Sequence, residues 1–198
     1  MTGLRIGNTR AWYIPGTSGG LLADTGYAGT LPLLYGAMKE NGLRLGDIAY
    51  VMATHYHPDH AGLVGELADK GVKLLLIDVQ REHVRFPDRI FARDGIPYVP
   101  VPEEKAEVIS AGESRSFLGR LGIAGEIVRT PSHSRDSVSL VTDAGDAVVG
   151  DLEPFEYLGA YGENEALEED WKRILALHPK RILFAHAPER ILPGRDRD

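Results

Sequence analysis

The chain has 198 residues, 43% of them hydrophobic and 26% charged, an ordinary balance for a globular protein with a real core. A net charge of −7 argues against a surface that wraps nucleic acid, and no apolar run approaches the length needed to cross a membrane. Without cysteine, neither a disulfide nor a thiolate metal site is available, and the N-terminus lacks a charged-then-apolar leader pattern, so a cytoplasmic location is expected.

The first half alternates strand and helix. Leu4–Ile6 and Arg10–Ile14 are β-prone, and Gly16–Gly20 reads as a turn before the strand Leu21–Asp24. That glycine run is no phosphate cradle, because no helix follows at the required place. Thr30–Glu40 has helical apolar spacing with Thr30 as N-cap and Asn41-Gly42 as stop. Asp47–Ala53 is an apolar strand, Asp59–Lys70 a helix closed by Gly71, and Val72–Ile77 a buried strand.

The second half is looser. Gln80–Asp94 carries arginines at 81, 85, 89 and 93, interrupted by Pro87, and Gly95–Glu104 is a proline-rich loop. β-like stretches follow at Glu107–Ile109, Ser116–Leu118, Glu126–Arg129, Ser137–Thr142 and Ala147–Val149. An amphipathic helix over Glu165–Leu177 and a strand over Arg181–Ala185 close the pattern. With no linker, repeat or low-complexity segment, residues 1–198 read as a single layered α/β domain.

The chemistry concentrates where the strand Asp47–Ala53 ends. Thr54-His55-Tyr56-His57-Pro58-Asp59-His60-Ala61-Gly62 packs three imidazoles and a carboxylate into six positions. These are ligands for zinc and for several other first-row metals. His55 and His57 leave the strand on a tight loop that can aim both rings at one ion, while Asp59 and His60 open a helix beside them. His133, Asp151 and His186 each follow a β-like stretch, the position at which open α/β folds place ligands. His83 and His178, outside any motif, read as ordinary surface or core residues.

His55-x-His57-x-Asp59-His60, His133 in Thr-Pro-Ser-His-Ser, Asp151 in Gly-Asp and His186 in Ala-His-Ala-Pro resemble the metallo-β-lactamase superfamily, as does Asp24-Thr25-Gly26. The resemblance runs from about Asp24 to His186. It implies a four-layer αββα sandwich with two metals at one edge. His55, His57 and His133 would hold the first, Asp59, His60 and His186 the second, and Asp151 would bridge them. Two zinc ions per chain are implied, with iron or manganese as alternatives. The chain departs from the family's frequent Pro-Gly-His-Thr and Gly-His-Gly at Pro131–Ser134 and Ala185–Ala187, without losing a ligand. It ends soon after His186, so the helical C-terminal domain of hydroxyacylglutathione hydrolases is not expected.

The function implied is hydrolysis of a small-molecule ester, thioester, lactone or lactam by water ionised between two metals, with Asp59 also accepting a proton. No nucleic-acid or membrane partner is expected, and the sequence is silent on oligomeric state. The same ligands suit a small-molecule phosphodiesterase, a mononuclear-iron sulfur dioxygenase, or a non-catalytic metal-binding module. Asp24 and Thr54 are expected to orient ligand imidazoles from outside the centre. Tyr157 and Tyr161 are candidates for substrate contact, with packing as the plainer role, and Asp78–Glu104 and Leu152–Asn164 are the loops expected to set selectivity. The arginines at 81, 85, 89 and 93 either form a solvated helix face or address an anionic substrate.

Overall fold

A computed structural model describes residues 1–158 and 164–193. The apolar alternation of the first half builds a six-stranded sheet. Strands β1 (Thr2–Ile6), β2 (Thr9–Ile14) and β3 (Gly20–Ala23) run antiparallel, and β4 (Ile48–Met52), β5 (Lys73–Ile77) and β6 (Glu107–Ile109) add in parallel, in the order β1-β2-β3-β4-β5-β6. Successive side chains on these strands leave on opposite faces. Leu21, Tyr50, Met52, Leu75 and Ile77 point into one core, while Leu22, Val51, Leu74 and Leu76 point into another.

The outer face is covered by helices α1 (Leu31–Glu40), α2 (Pro58–Ala61) and α3 (Val64–Asp69), through Leu34, Met38, Leu63 and Leu67. The inner face meets a second sheet. Strands β7 (Gly125–Arg129), β8 (Val138–Thr142), β9 (Asp146–Gly150), β10 (Arg181–Phe184) and β11 (Arg190–Ile191) stand in the order β11-β10-β9-β8-β7, with β9 and β10 parallel. Ile127, Val138, Leu140, Val148 and Leu183 share the central core with the first sheet. The far side of the second sheet is sealed by α6 (Glu165–Leu175), whose Leu167, Trp171 and Ile174 pack on Val149, Ile182 and Phe184. Three apolar layers separate helix, sheet, sheet and helix, which is the four-layer αββα sandwich expected. Among the described residues no helix is long and apolar enough to cross a membrane.

Several local expectations change. Ser116–Leu118 is not a strand but the middle of α5 (Ser114–Leu121). Phe117, Leu118 and Leu121 fall on one buried face at helical spacing, and Glu113 accepts hydrogen bonds from the backbone N–H and hydroxyl of Ser110 just upstream. Thr30 does not cap α1 through its side chain, because its hydroxyl donates instead to the Tyr27 carbonyl at 2.6 Å. The arginine-bearing segment folds as a short turn followed by helix α4 (Phe86–Asp94), which starts with Pro87 near its N-terminus, where proline is tolerated.

The helix expected over Asp59–Lys70 is two helices, α2 and α3, broken at Gly62-Leu63. The cause is the Thr25-Gly26 loop, which presses into the helix. Gly62 N–H donates to the Gly26 carbonyl at 3.1 Å, and Leu63 N–H donates to the Thr25 hydroxyl at 3.1 Å. A Cβ on Gly62 would stand 2.4 Å from the Ala28 nitrogen and 2.6 Å from the Pro58 oxygen, both backbone atoms. Gly62→Ala is therefore expected to destabilise the fold by about 1–3 kcal/mol, read as a lowered midpoint in urea unfolding; an unchanged midpoint would show that the loop is not held against the helix.

Candidate metal centre

The C-terminal ends of β4, β7, β9 and β10 meet at one edge of the sandwich, and each delivers a donor. His55 and His57 follow β4, and Asp59 and His60 lie in α2, which starts directly after His57. His133 sits in the β7–β8 loop, Asp151 follows β9, and His186 follows β10. The seven residues assemble as two groups. His55, His57, His133 and Asp151 offer donor atoms that all lie within 4.8 Å of one another, and so do Asp59, His60 and His186.

Asp151 faces both groups with different oxygens. Its Oδ2 is 3.9 Å from His55 Nε2 and 3.8 Å from His133 Nε2. Its Oδ1 is 3.2 Å from His60 Nε2 and 3.3 Å from His186 Nε2. Glycine before it makes this approach possible. Gly150 has φ +58°, and a Cβ there would lie 2.4 Å from Thr54 Oγ1.

Outer partners set the imidazole tautomers. Thr54 donates its hydroxyl proton to Asp24 at 3.0 Å and so accepts from His55 Nδ1 at 3.2 Å. His60 Nδ1 is 3.0 Å from Asp24 Oδ2, and His186 Nδ1 donates to the Asn8 carbonyl at 3.0 Å. In all three rings Nε2 is left facing the centre. His57 instead presents Nδ1, 2.9 Å from His55 Nε2 and 3.2 Å from His133 Nε2. Asp24 is buried with φ +65°, a strained setting for a side-chain-bearing residue, and its Oδ1 also accepts from Thr54 N–H at 2.7 Å.

The two groups differ in charge. Burial, and then the neighbouring imidazoles, push His55 well below the usual histidine range, and burial likewise lowers His133. Burial also opposes a charge on His60, but Asp24 and Asp151 outweigh it and raise its pKa to about 10. Asp59 resists the effect of burial because His186 Nε2 lies 2.9 Å from its Oδ2; with His60, this lowers its pKa to about 2. The pairing with Asp59 raises His186 in turn.

These residues fit a pair of divalent first-row cations. Nitrogens from His55, His57 and His133 converge although the rings of His55 and His133 favour the neutral form. His60 Nε2 and Asp151 Oδ1 are buried without a well-formed hydrogen bond, so a cation between them would satisfy both. The mixed imidazole and carboxylate donor set suits zinc or iron, and manganese where carboxylate dominates.

A buried polar bracket aligns the loops behind the centre, and sequence reasoning missed it. Asp136 Oδ2 accepts from the backbone N–H of Tyr56, between His55 and His57, at 2.7 Å. Its Oδ1 accepts from the Ser134 hydroxyl, beside His133, at 2.8 Å. Gln80, fully buried, donates to the carbonyls of Ala53, Thr54 and Asp136. On α6, Asp170 accepts from Ser132 N–H at 2.7 Å and from Arg173, while Trp12 donates to the Phe184 carbonyl just before His186. A single Gln or Asp in a loop carries no periodic signal, so only burial reveals these roles. Tyr157 lies exposed in the turn Phe155–Tyr157, and Tyr161 lies outside the described residues.

The fold and this edge define a class. The Lactamase_B model of the metallo-beta-lactamase superfamily matches residues 4–186, and the chain belongs to that superfamily. With its paired donor groups, the site is of the metallo-hydrolase type. Among relatives, a probable metallo-hydrolase of Methanocaldococcus jannaschii is 27% identical over 61% of this chain and 56% of its own length. The human metallo-beta-lactamase domain-containing protein 1 is 31% identical over 77% of this chain and 50% of its own. The matched part of this chain thus spans about half the length of each. A solved structure, TTHA1623 in a di-iron-bound form, superposes with a TM-score of 0.68 at 22% identity, over 96% of this chain and 92% of that one.

Asp136→Ala removes an acceptor shared by the two loops and leaves the Tyr56 N–H buried without a partner. It is expected to cost about 3 kcal/mol in chemical denaturation and to lower bound metal per chain measured by elemental analysis; a variant with wild-type stability and metal content would show that the bracket does not align the centre.

Proposed function

We propose that the chain is a hydrolase of a small-molecule ester, thioester, lactone or lactam, acting in the cytoplasm as one domain with two divalent metals. The observation that carries this reading is Asp151, whose two oxygens face separate donor groups as a bridging ligand requires. His55, His57 and His133 would hold the first ion, and Asp59, His60 and His186 the second. When bound, the ions would supply Lewis acidity, ionising water near neutral pH and polarising the scissile carbonyl. Zinc is the first choice. Iron is the second reading, favoured by the di-iron-bound form described for TTHA1623.

The chain's own groups then divide the remaining work. Asp24 and Thr54 hold His60 and His55 in the tautomers that leave Nε2 free. Asp59, ionised at neutral pH, is the carboxylate proposed to accept a proton from the attacking water. Phe86, with its ring 5.4 Å from that of His57, offers an apolar surface beside the centre.

The deciding experiment is metal analysis of the protein purified without added metal, coupled to a panel of lactones, thioesters and aryl esters. Two metals per chain and turnover of at least one panel member are expected. Activity that survives His57→Ala together with chelation would overturn the reading. Asp59→Asn is expected to lower kcat by about 100-fold or more, beyond any loss of metal measured in parallel. Because His60 is protonated below about pH 10 in the metal-free protein, metal uptake at about pH 8 should release roughly one proton from it. Calorimetry in buffers of different ionisation enthalpy reads the net release, and a release unchanged in His60→Ala would remove His60 from the ligand set.

A further inference from the structure

Most of the other described arginines find carboxylates, Arg5, Arg10 and Arg89 excepted, in a chain where 29 acidic residues face 22 basic ones. Arg115 pairs with Glu126 and Asp143, Arg120 with Glu107, and Arg181 with Asp146 and Glu189. Arg129 and Arg135 have no ion-pair partner among the described residues, and they line the same cleft. This cleft, about 530 Å³, lies between the turn that follows β5 and the β7–β8 loop. Arg81, paired with Glu103, and His83 line it as well, with Asp78 and Glu82 as its acidic groups. Asp78 is partly engaged, since it accepts from the Val79 N–H at 2.8 Å.

The strand and loop that line one side of the cleft also lead to a donor of the metal centre. Arg129 ends β7 just before the loop that carries His133, and Arg135 lies two residues beyond that histidine. A smaller hollow shares Glu82 and His83 with the cleft and adds Phe86 and Arg89; the same Phe86 ring flanks His57. The two hollows thus share a wall, and the Phe86 ring of the smaller one lies 5.4 Å from that of His57.

We propose that this cleft binds an oxyanion on the tail of the substrate, so that the preferred substrate is an acyl compound whose chain ends in a carboxylate, sulfonate or phosphate. This rests on the hydrolase reading given above. Arg129 and Arg135 supply the planar fork that recognises such a group with paired hydrogen bonds, and Phe86 packs on the intervening methylenes. The acidic character of the rest of the chain makes the cleft selective, because an anion is repelled elsewhere on the surface.

The test compares para-nitrophenyl esters of two acyl chains of equal length, one ending in a sulfonate and one in a methyl group. Wild-type protein is expected to favour the sulfonate by about ten- to a hundredfold in kcat/KM, the size of charge-assisted hydrogen bonds. The ratio should fall toward one in the Arg129→Gln, Arg135→Gln double variant. It should persist in Arg93→Gln, whose arginine pairs with Asp94 outside the cleft. Calorimetric titration of metal-loaded protein with an alkanesulfonate supplies a readout independent of turnover, with binding in the wild type and its loss in the double variant. Equal hydrolysis of both esters overturns the anion cleft and leaves the hydrolase reading standing. Hydrolysis of neither, with arginine-dependent sulfonate binding, supports the cleft and leaves the hydrolase reading to the wider panel of lactones and thioesters.

Discussion

A carboxylate sealed from water has to be answered by donors, and Asp24 imposes that condition on everything around it. Fully buried at the end of β3, it takes the backbone N–H and hydroxyl of Thr54 and faces the ring of His60. Those partners come from the end of β4 and from α2. Satisfying one charge therefore aligns a strand end, a helix start and two imidazoles. The same Thr54 hydroxyl orients His55, and Gly150 is a glycine because Thr54 occupies the space a side chain would need. The interior of the centre is thus dictated from behind, by hydrogen bonds that never touch a metal.

Electrostatics gives the two halves of the centre different characters. Around His55, His57 and His133 the imidazoles crowd together with one carboxylate oxygen, and burial keeps two of the three rings toward the neutral form. Around His60 and His186 the carboxylates of Asp24, Asp59 and Asp151 draw protons onto the rings. A cation replaces mutual crowding of nitrogen lone pairs on one side and displaces protons on the other. Asp151 joins the halves because it is the one carboxylate whose oxygens reach both.

Around this interior, the loops that carry His133 and His186 are held by contacts outside the donor set. The departures at Pro131–Ser134 and Ala185–Ala187 leave His133 and His186 in place; the backbone of each loop is held by Asp170 or by β2 through Trp12. Arg129, at the end of β7, and Arg135, on the loop that carries His133, line a cleft of their own. A rim of this kind sets which molecule is presented, while the interior sets which bond is broken.

Much of the centre was legible in the chain. Four donors in six positions, and three more after β-like stretches, form a pattern few structural needs explain, and the strand and helix periods implied a layered α/β sandwich. These signals are local, and local spacing is what a linear sequence records. The bracket formed by Gln80 and Asp136, the break at Gly62 and the support from Asp170 depend on backbone groups distant in the chain, so no spacing announces them. Ser116–Leu118 misled for the opposite reason: three residues are too few to distinguish a strand from one turn of a helix until the face formed with Leu121 is seen. By itself the sequence determined the donor types and their chemistry. Only the tertiary structure decided which oxygen of Asp151 faces which group, which ring nitrogen each histidine turns inward, and which arginines are left without a partner, because those depend on distances between segments that meet only when the sheets pack.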